Sequence, residues 1–132
     1  MNKLLTWALV IAGIGGGYVL LSNIPREPQR VEGVLIPDLT AQAALGEAVF
    51  QGTCAACHGV KLEGTDSGPP LVLPVYRPAM HADFAFTLAI QNGVVAHHWG
   101  FGNMPPQEAI AAEDISRIIA YVREVQRANG VK

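Results

Sequence analysis

The sequence predicts an all-α fold with long irregular connections, and three observations support this class. Helix signals recur at separate places after the first third of the 132-residue chain. The segments between them are rich in glycine and proline, which punctuate loops. The sequence around the two cysteines shows helical signals and turns, without the apolar runs that are typical of strands.

We predict three helices, over residues 40–50, 84–91 and 113–127. Thr40 is a good N-cap for the alanine-rich first helix, and Gly93 ends the second. Acidic residues in the first turn favour the start of the third helix. On this helix five apolar residues recur at steps of three and four, a stripe that faces a core: Ile115, Ile118, Ile119, Val122 and Val125.

The chain is predicted to have three parts. Residues 4–24, LLTWALVIAGIGGGYVLLSNI, contain no charged side chain and as a helix span about 31 Å, which matches a hydrocarbon core of about 30 Å. A cleaved secretory signal would have a shorter apolar region and a small-x-small cleavage site, which we do not find. We therefore expect an uncleaved transmembrane anchor over 1–24, a proline-containing semi-rigid linker over 25–39, and one domain over 40–132.

Within the anchor, Gly13 and Gly17 form a G-x-x-x-G pair. Small residues let two membrane helices approach closely, so this face predicts association with a second copy or with a helix of a larger complex. Glycine is also simply frequent in membrane helices, and that alternative stays open.

Both cysteines of the chain lie in one short motif, CAACH, at residues 54–58. C-x-x-C-H is a haem c attachment signal: two thiols add to the haem vinyl groups, and the histidine binds the iron. A zinc site would need more ligands at usual spacing, and a thioredoxin-type pair would need a βαβ context. The motif predicts one covalently bound haem c, with Cys54 and Cys57 as attachment sites and His58 as an axial ligand.

Met104 is the best candidate for the second axial position of the iron. It lies in a turn-forming segment, GNMPP, that can wrap over the haem edge. Met1 lies beyond the anchor, and Met80 is expected to pack in the core or at the haem edge.

These motifs resemble those of a class I cytochrome c over roughly residues 40–130, on the strings CAACHG, GPPL and NMPP and the amphipathic last helix. The resemblance implies that His58 and Met104 are the axial ligands. It implies that the Pro69 carbonyl accepts a hydrogen bond from the other ring nitrogen of His58, and that Leu71 packs on the haem face.

The same resemblance implies that the first and last helices cross, with Gly46 permitting close approach and Phe50 packing on Tyr121. Because both axial sites would be filled, no position is open to a substrate, and we expect an electron carrier rather than an enzyme.

Further side chains are expected around the haem. Three compete for a haem propionate, and the sequence does not choose between them: Tyr76, Arg77 and Trp99. Three histidines are expected near a propionate or at the surface, with competing axial ligation or a second metal as the alternatives: His81, His97 and His98.

From Gly33 onward the chain has nine acidic and six basic side chains. This balance excludes nucleic acid as a partner and argues against long-range attraction to an acidic oxidase. Because bacteria attach haem c outside the cytoplasmic membrane, we expect a single-pass protein of the inner membrane with its haem domain in the periplasm.

Three functions follow as hypotheses. The favoured one is a tethered carrier that shuttles single electrons between membrane or periplasmic redox complexes, with a quinol-oxidising complex, a terminal oxidase or a periplasmic reductase as partners. The second is a fixed haem subunit of a larger membrane oxidoreductase. The third is a haem enzyme or gas sensor with a labile distal ligand.

Overall fold

The structure, a computed structural model, describes residues 30–97 and 99–132. Over these residues the chain forms four α-helices and one 3-10 turn: α1 Ala41–Thr53, α2 Ala55–His58, the 3-10 turn Pro74–Tyr76, α3 Asp83–Asn92 and α4 Ala112–Ala128. Extended pairing in this part of the chain is confined to two isolated bridges, Thr65 with Gly68 and Val94 with Met104. The helical class expected from the sequence is confirmed for this domain.

The three predicted helices all form, with ends that differ by a few residues. Thr40 caps α1 as expected, because its Oγ1 accepts a hydrogen bond from the Ala43 N–H at 3.3 Å. Helix α1 continues three residues past its predicted end, which places Cys54 at its C-cap. No sequence pattern predicted α2, since a single helical turn has no periodicity to detect.

Helices α1 and α4 cross at Gly46. A Cβ atom at this position would lie 1.9 Å from the carbonyl oxygen of Arg117, so the backbones are in direct contact. Beside the crossing, the buried rings of Phe50 and Tyr121 pack with centroids 5.5 Å apart and planes inclined by 57°. The crossing implied by the resemblance is therefore confirmed.

The apolar stripe predicted on α4 is buried along its whole length. Its five members join the side chains of α1 and of the loops in one core. Two polar residues of α4, Arg123 and Gln126, are buried with them. Helix α4 is thus the central element against which the rest of the described chain packs.

The described part of the predicted linker, residues 30–39, packs along the domain, and we call it the N-terminal strap. Val34 is buried, and the Val31 N–H donates to the Glu63 carbonyl at 2.8 Å. The Asn129 side chain holds Leu35 twice, accepting from its N–H at 3.0 Å and donating to its carbonyl at 2.8 Å. The strap is therefore held at two places, at Glu63 near the attachment motif and at Asn129 at the C-terminal end of α4.

None of the helices that the structure describes is long and apolar enough to cross a bilayer. The predicted anchor, residues 4–24, and its Gly13–Gly17 face lie outside the described residues.

The crossing yields a direct test with a matched control in the same helix. Gly46→Ala forces α1 and α4 apart, and we expect it to lower the free energy of unfolding by about 3 kcal/mol, at the upper end of overpacking costs. Gly52 also lies in α1 but has nothing within 4 Å of an added Cβ. We expect Gly52→Ala to leave stability unchanged or to raise it by about 0.5–1 kcal/mol.

Denaturant unfolding of the haem-loaded proteins measures both values. Equal stability of Gly46→Ala and Gly52→Ala would contradict the close crossing.

Candidate functional site

A cavity of about 500 Å³ opens between α1, α3, α4 and the loops, and its walls are mainly apolar. The volume lies within the range of about 300–1,000 Å³ that is common for cofactor sites. Seven of the nine predicted site residues line it: Cys54, His58, Pro69, Leu71, Tyr76, Trp99 and Met104. Cys57 and Arg77 are not among the lining residues, and Cys57 is exposed.

The attachment motif is held by two consecutive helices. The Cys54 N–H donates to the Phe50 carbonyl at the end of α1, and the His58 N–H donates to the Cys54 carbonyl in α2. Gly59, with φ of 82°, then turns the chain away. Burial, and to a lesser extent the neighbouring Cys57, raises the pKa of the Cys54 thiol to about 11. The motif thus places Cys54 in the cavity lining and leaves Cys57 exposed.

His58 is oriented by a single hydrogen bond. Its Nδ1 lies 2.9 Å from the Pro69 carbonyl oxygen, and because a carbonyl only accepts, Nδ1 carries the proton. In the neutral imidazole the other ring nitrogen, Nε2, is then unprotonated. Burial lowers the pKa of His58, an effect that the bond to Pro69 opposes. A neutral imidazole with a free Nε2 is the form that binds a metal.

A tight turn over residues 64–68 packs against the attachment motif at Cys57. The Thr65 hydroxyl donates to the Cys57 carbonyl at 2.6 Å, and the Thr65 N–H donates to the Gly68 carbonyl at 3.0 Å. A Cβ on Gly68 would lie 2.8 Å from the Cys57 carbonyl oxygen and 3.0 Å from the Cys57 Cβ. Gly68 is therefore required for the turn to fit under Cys57.

Met104 lines the same cavity as His58 and is positioned through its backbone. Its N–H and carbonyl exchange hydrogen bonds with Val94, both at 2.9 Å. Val94 follows Gly93, the C-cap of α3, where a Cβ would lie 2.4 Å from the Met104 carbonyl oxygen. The methionine loop is thus anchored to the end of α3.

The side chains of Tyr76 and Trp99 form a hydrogen-bonded pair. The Trp99 Nε1–H donates to the Tyr76 hydroxyl oxygen at 2.9 Å, so the indole does not compete with the tyrosine for a cofactor group. Burial raises the pKa of Tyr76, which the hydrogen bond from Trp99 opposes. Arg77 donates instead to the Pro74 carbonyl at 3.1 Å. Among the three predicted propionate partners, geometry brings Tyr76 and Trp99 to the cavity.

Two of the three histidines can be placed. His81 and His97 both line the cavity, and each Nδ1 lies 2.7 Å from a carbonyl oxygen, of Val75 and Val95 respectively. His98 lies outside the described residues. Within residues 30–97 and 99–132, no three His, Cys, Asp or Glu side chains come together as a metal site.

Sequence reasoning missed the residues behind the cavity wall, above all Arg123 and Gln126. A signal for Gln126 was present: it follows Val122 by four residues and so continues the apolar stripe of α4. A polar residue at such a position needs buried hydrogen-bond partners.

The role of the turn under Cys57 can be tested by mutation. In Gly68→Ala the added methyl displaces the attachment segment, and we expect the free energy of unfolding of the haem-loaded protein to fall by about 1–3 kcal/mol. We also expect a smaller fraction of the chain to carry covalent haem, measured by intact mass. Gly100→Ala is the control, because nothing lies within 4 Å of its added Cβ. Wild-type haem loading and stability in Gly68→Ala would refute the role given to this turn.

Comparison with known proteins agrees with this geometry. The family model of cytochrome c matches residues 43–126, which contain the attachment motif, the cavity and most of α4. Searches of curated proteins and of solved structures give no significant match. The matched span covers more than half of the chain, and its C-x-x-C-H motif lies where the cavity begins. The chain therefore belongs to the cytochrome c family: it binds haem c covalently and carries electrons.

Proposed function

We propose that this cytochrome c is tethered to the periplasmic face of a bacterial inner membrane and shuttles single electrons between redox complexes there. Its donors and acceptors would be a quinol-oxidising complex, a terminal oxidase or a periplasmic reductase. The observation that carries the electron-transfer part of the proposal is that His58, whose Nδ1 faces the Pro69 carbonyl, and Met104 line one apolar cavity. The tether is proposed from the uncharged apolar segment over residues 4–24.

In this proposal His58 and Met104 would hold the iron. His58 would do so through Nε2, and its Nδ1–H bond to Pro69 orients the ring and makes it a better ligand. Met104 provides a thioether sulfur, which raises the reduction potential relative to a second histidine. Cys54 and Cys57 hold the cofactor covalently, and Leu71 packs on its face.

Ligand saturation favours a carrier over a haem enzyme or sensor. When bound, the haem supplies an iron that alternates between the ferrous and ferric states. With His58 and Met104 both bound to the iron, no position would remain open to oxygen or substrate, and the group would supply one-electron transfer. The apolar walls exclude water, and the backbone bonds of Met104 to Val94 hold its loop in place.

One observation favours the alternative of a fixed haem subunit. Because the N-terminal strap packs from residue 31 onward, only residues 25–30 remain between the predicted anchor and the packed domain. Fully extended, six residues span about 20 Å. Such a short tether restricts the domain to partners beside it. Stoichiometric co-purification with a catalytic complex in mild detergent, lost on replacing Gly13 and Gly17 by isoleucine, would favour the fixed subunit.

Axial ligation is tested by Met104→Ala, with Met80→Ala as the matched control. We expect the ferrous Met104→Ala protein to bind carbon monoxide and its potential to fall by on the order of 0.1 V, within the range of about 0.8 V that axial ligands cover. The expectation that Met80 packs in the core or at the haem edge is wrong, because Met80 is 55% exposed and does not line the cavity. Its replacement should therefore change neither property.

Absorption spectra with and without carbon monoxide, and a redox titration, provide the readouts. Carbon monoxide binding to the wild-type ferrous protein would overturn Met104 ligation.

Membrane tethering is tested by fractionation. We expect the full-length protein to stay in the membrane fraction through high-salt and alkaline washes, because the anchor is held by burial of its apolar residues. A form that starts at residue 30 and is exported by a cleavable signal should be soluble in the periplasm. Full-length protein released by the salt wash alone would contradict the tether.

A further inference from the structure

Two buried polar side chains of α4, Arg123 and Gln126, bind the backbone of residues that line the haem cavity. Arg123 is 7% exposed and Gln126 is completely buried. Burying a guanidinium is unfavourable unless its donors are satisfied. The partners of these two side chains therefore show what the burial achieves.

All the loop carbonyls that they bind belong to cavity-lining residues. Arg123 donates to the Tyr76 carbonyl at 2.8 Å and also to the His81 carbonyl. Gln126 donates to the Leu71 carbonyl at 2.7 Å and to the Tyr76 carbonyl at 3.2 Å. Leu71, Tyr76 and His81 are the residues by which the segment 71–82 contributes to the cavity.

The two side chains also fix each other. An Arg123 Nη1 hydrogen donates to Gln126 Oε1 at 2.6 Å, which turns the amide so that its NH2 faces the loop. The Arg123 Nε–H donates to Asp83 Oδ1 at 2.8 Å, at the start of α3. The guanidinium carbon lies 4.8 Å above the ring of Phe86, another cavity residue.

Arg123 does not itself line the haem cavity. It lines a separate groove of about 700 Å³ between α3 and α4, on the other side of this wall. An effect of Arg123 on the haem must therefore pass through the residues that it holds.

We propose that Arg123 and Gln126 are positioning residues that set the reduction potential of the haem by holding Leu71, Tyr76 and His81 against it. When this wall loosens, water enters the cavity. Water stabilises ferric iron, which carries the higher charge, more than ferrous iron, so the potential falls. The inference rests on the covalent haem of the family and on this cavity, and it does not require Met104 ligation.

The test compares the midpoint potentials of four haem-loaded full-length variants. Arg123→Lys keeps the charge but lacks the planar fork that reaches several acceptors at once. Arg123→Met removes charge and donors, and Gln126→Met removes the donors to Leu71 and Tyr76 at similar volume. Arg127→Met is the control, since Arg127 is an exposed cation one turn after Arg123 on the same helix.

We expect Arg123→Lys, Arg123→Met and Gln126→Met all to shift the potential downward, with the axial-ligand absorption unchanged, and Arg127→Met to keep the wild-type value. If Arg123→Lys keeps the wild-type potential while Arg123→Met lowers it, the effect comes from the charge of Arg123, and the positioning role is overturned. If these three variants are less stable but keep the wild-type potential, Arg123 and Gln126 have only a structural role, and the proposal is likewise overturned.

If Arg123→Met does not fold, Arg123→Lys and Gln126→Met decide between these outcomes. Failure of Met104 as a ligand would appear separately, as carbon monoxide binding by the wild-type protein.

Discussion

The direct contact between α1 and α4 at Gly46 is the constraint on which the rest of the structure depends. Because the Arg117 carbonyl occupies the space where a Cβ would stand, the two helices meet at one point and pack their buried aromatic rings beside it. Helix α1 leads directly into the attachment motif, and α4 carries the side chains that hold the loops. Fixing their crossing therefore fixes the two sides of the haem cavity relative to each other.

Helix α4 organises the loops through polar side chains as well as through its apolar stripe. Side chains in its C-terminal half and at its cap bind residues elsewhere in the chain. Glu124 binds Thr40, Arg123 and Gln126 bind the segment 71–82, and Asn129 binds Leu35. A satisfied hydrogen bond contributes only about 0.5–1.5 kcal/mol, whereas a buried group left unsatisfied costs about 1–3 kcal/mol. The contacts of the buried Arg123 and Gln126 therefore act mainly by excluding other positions of the segment 71–82, whereas those of Glu124 and Asn129 are exposed. This accounts for long irregular connections around a well-defined cavity.

The two axial candidates are held by different means that lead to the same result. His58 is the last residue of the helical turn α2 and is oriented by the Pro69 carbonyl, while Met104 lies in a loop that is bridged to the end of α3. Both arrangements fix the backbone close to the ligand. In our proposal this rigidity suits a carrier, because electron transfer adds no atoms and is easiest when the ligands keep their positions in both oxidation states.

The sequence by itself determined the cofactor, the three longer helices and much of the candidate site, since these depend on local patterns. The C-x-x-C-H motif needs five consecutive residues, the cap at Thr40 involves residues three apart, and the stripe of α4 repeats within a turn. Only the tertiary structure decided that Trp99 binds Tyr76, that Arg77 points to Pro74, and that residues 31–39 pack on the domain. It alone assigned Arg123 and Gln126 to the cavity wall. Those contacts join residues up to 94 positions apart, and no short-range pattern records which distant carbonyl a buried side chain will meet.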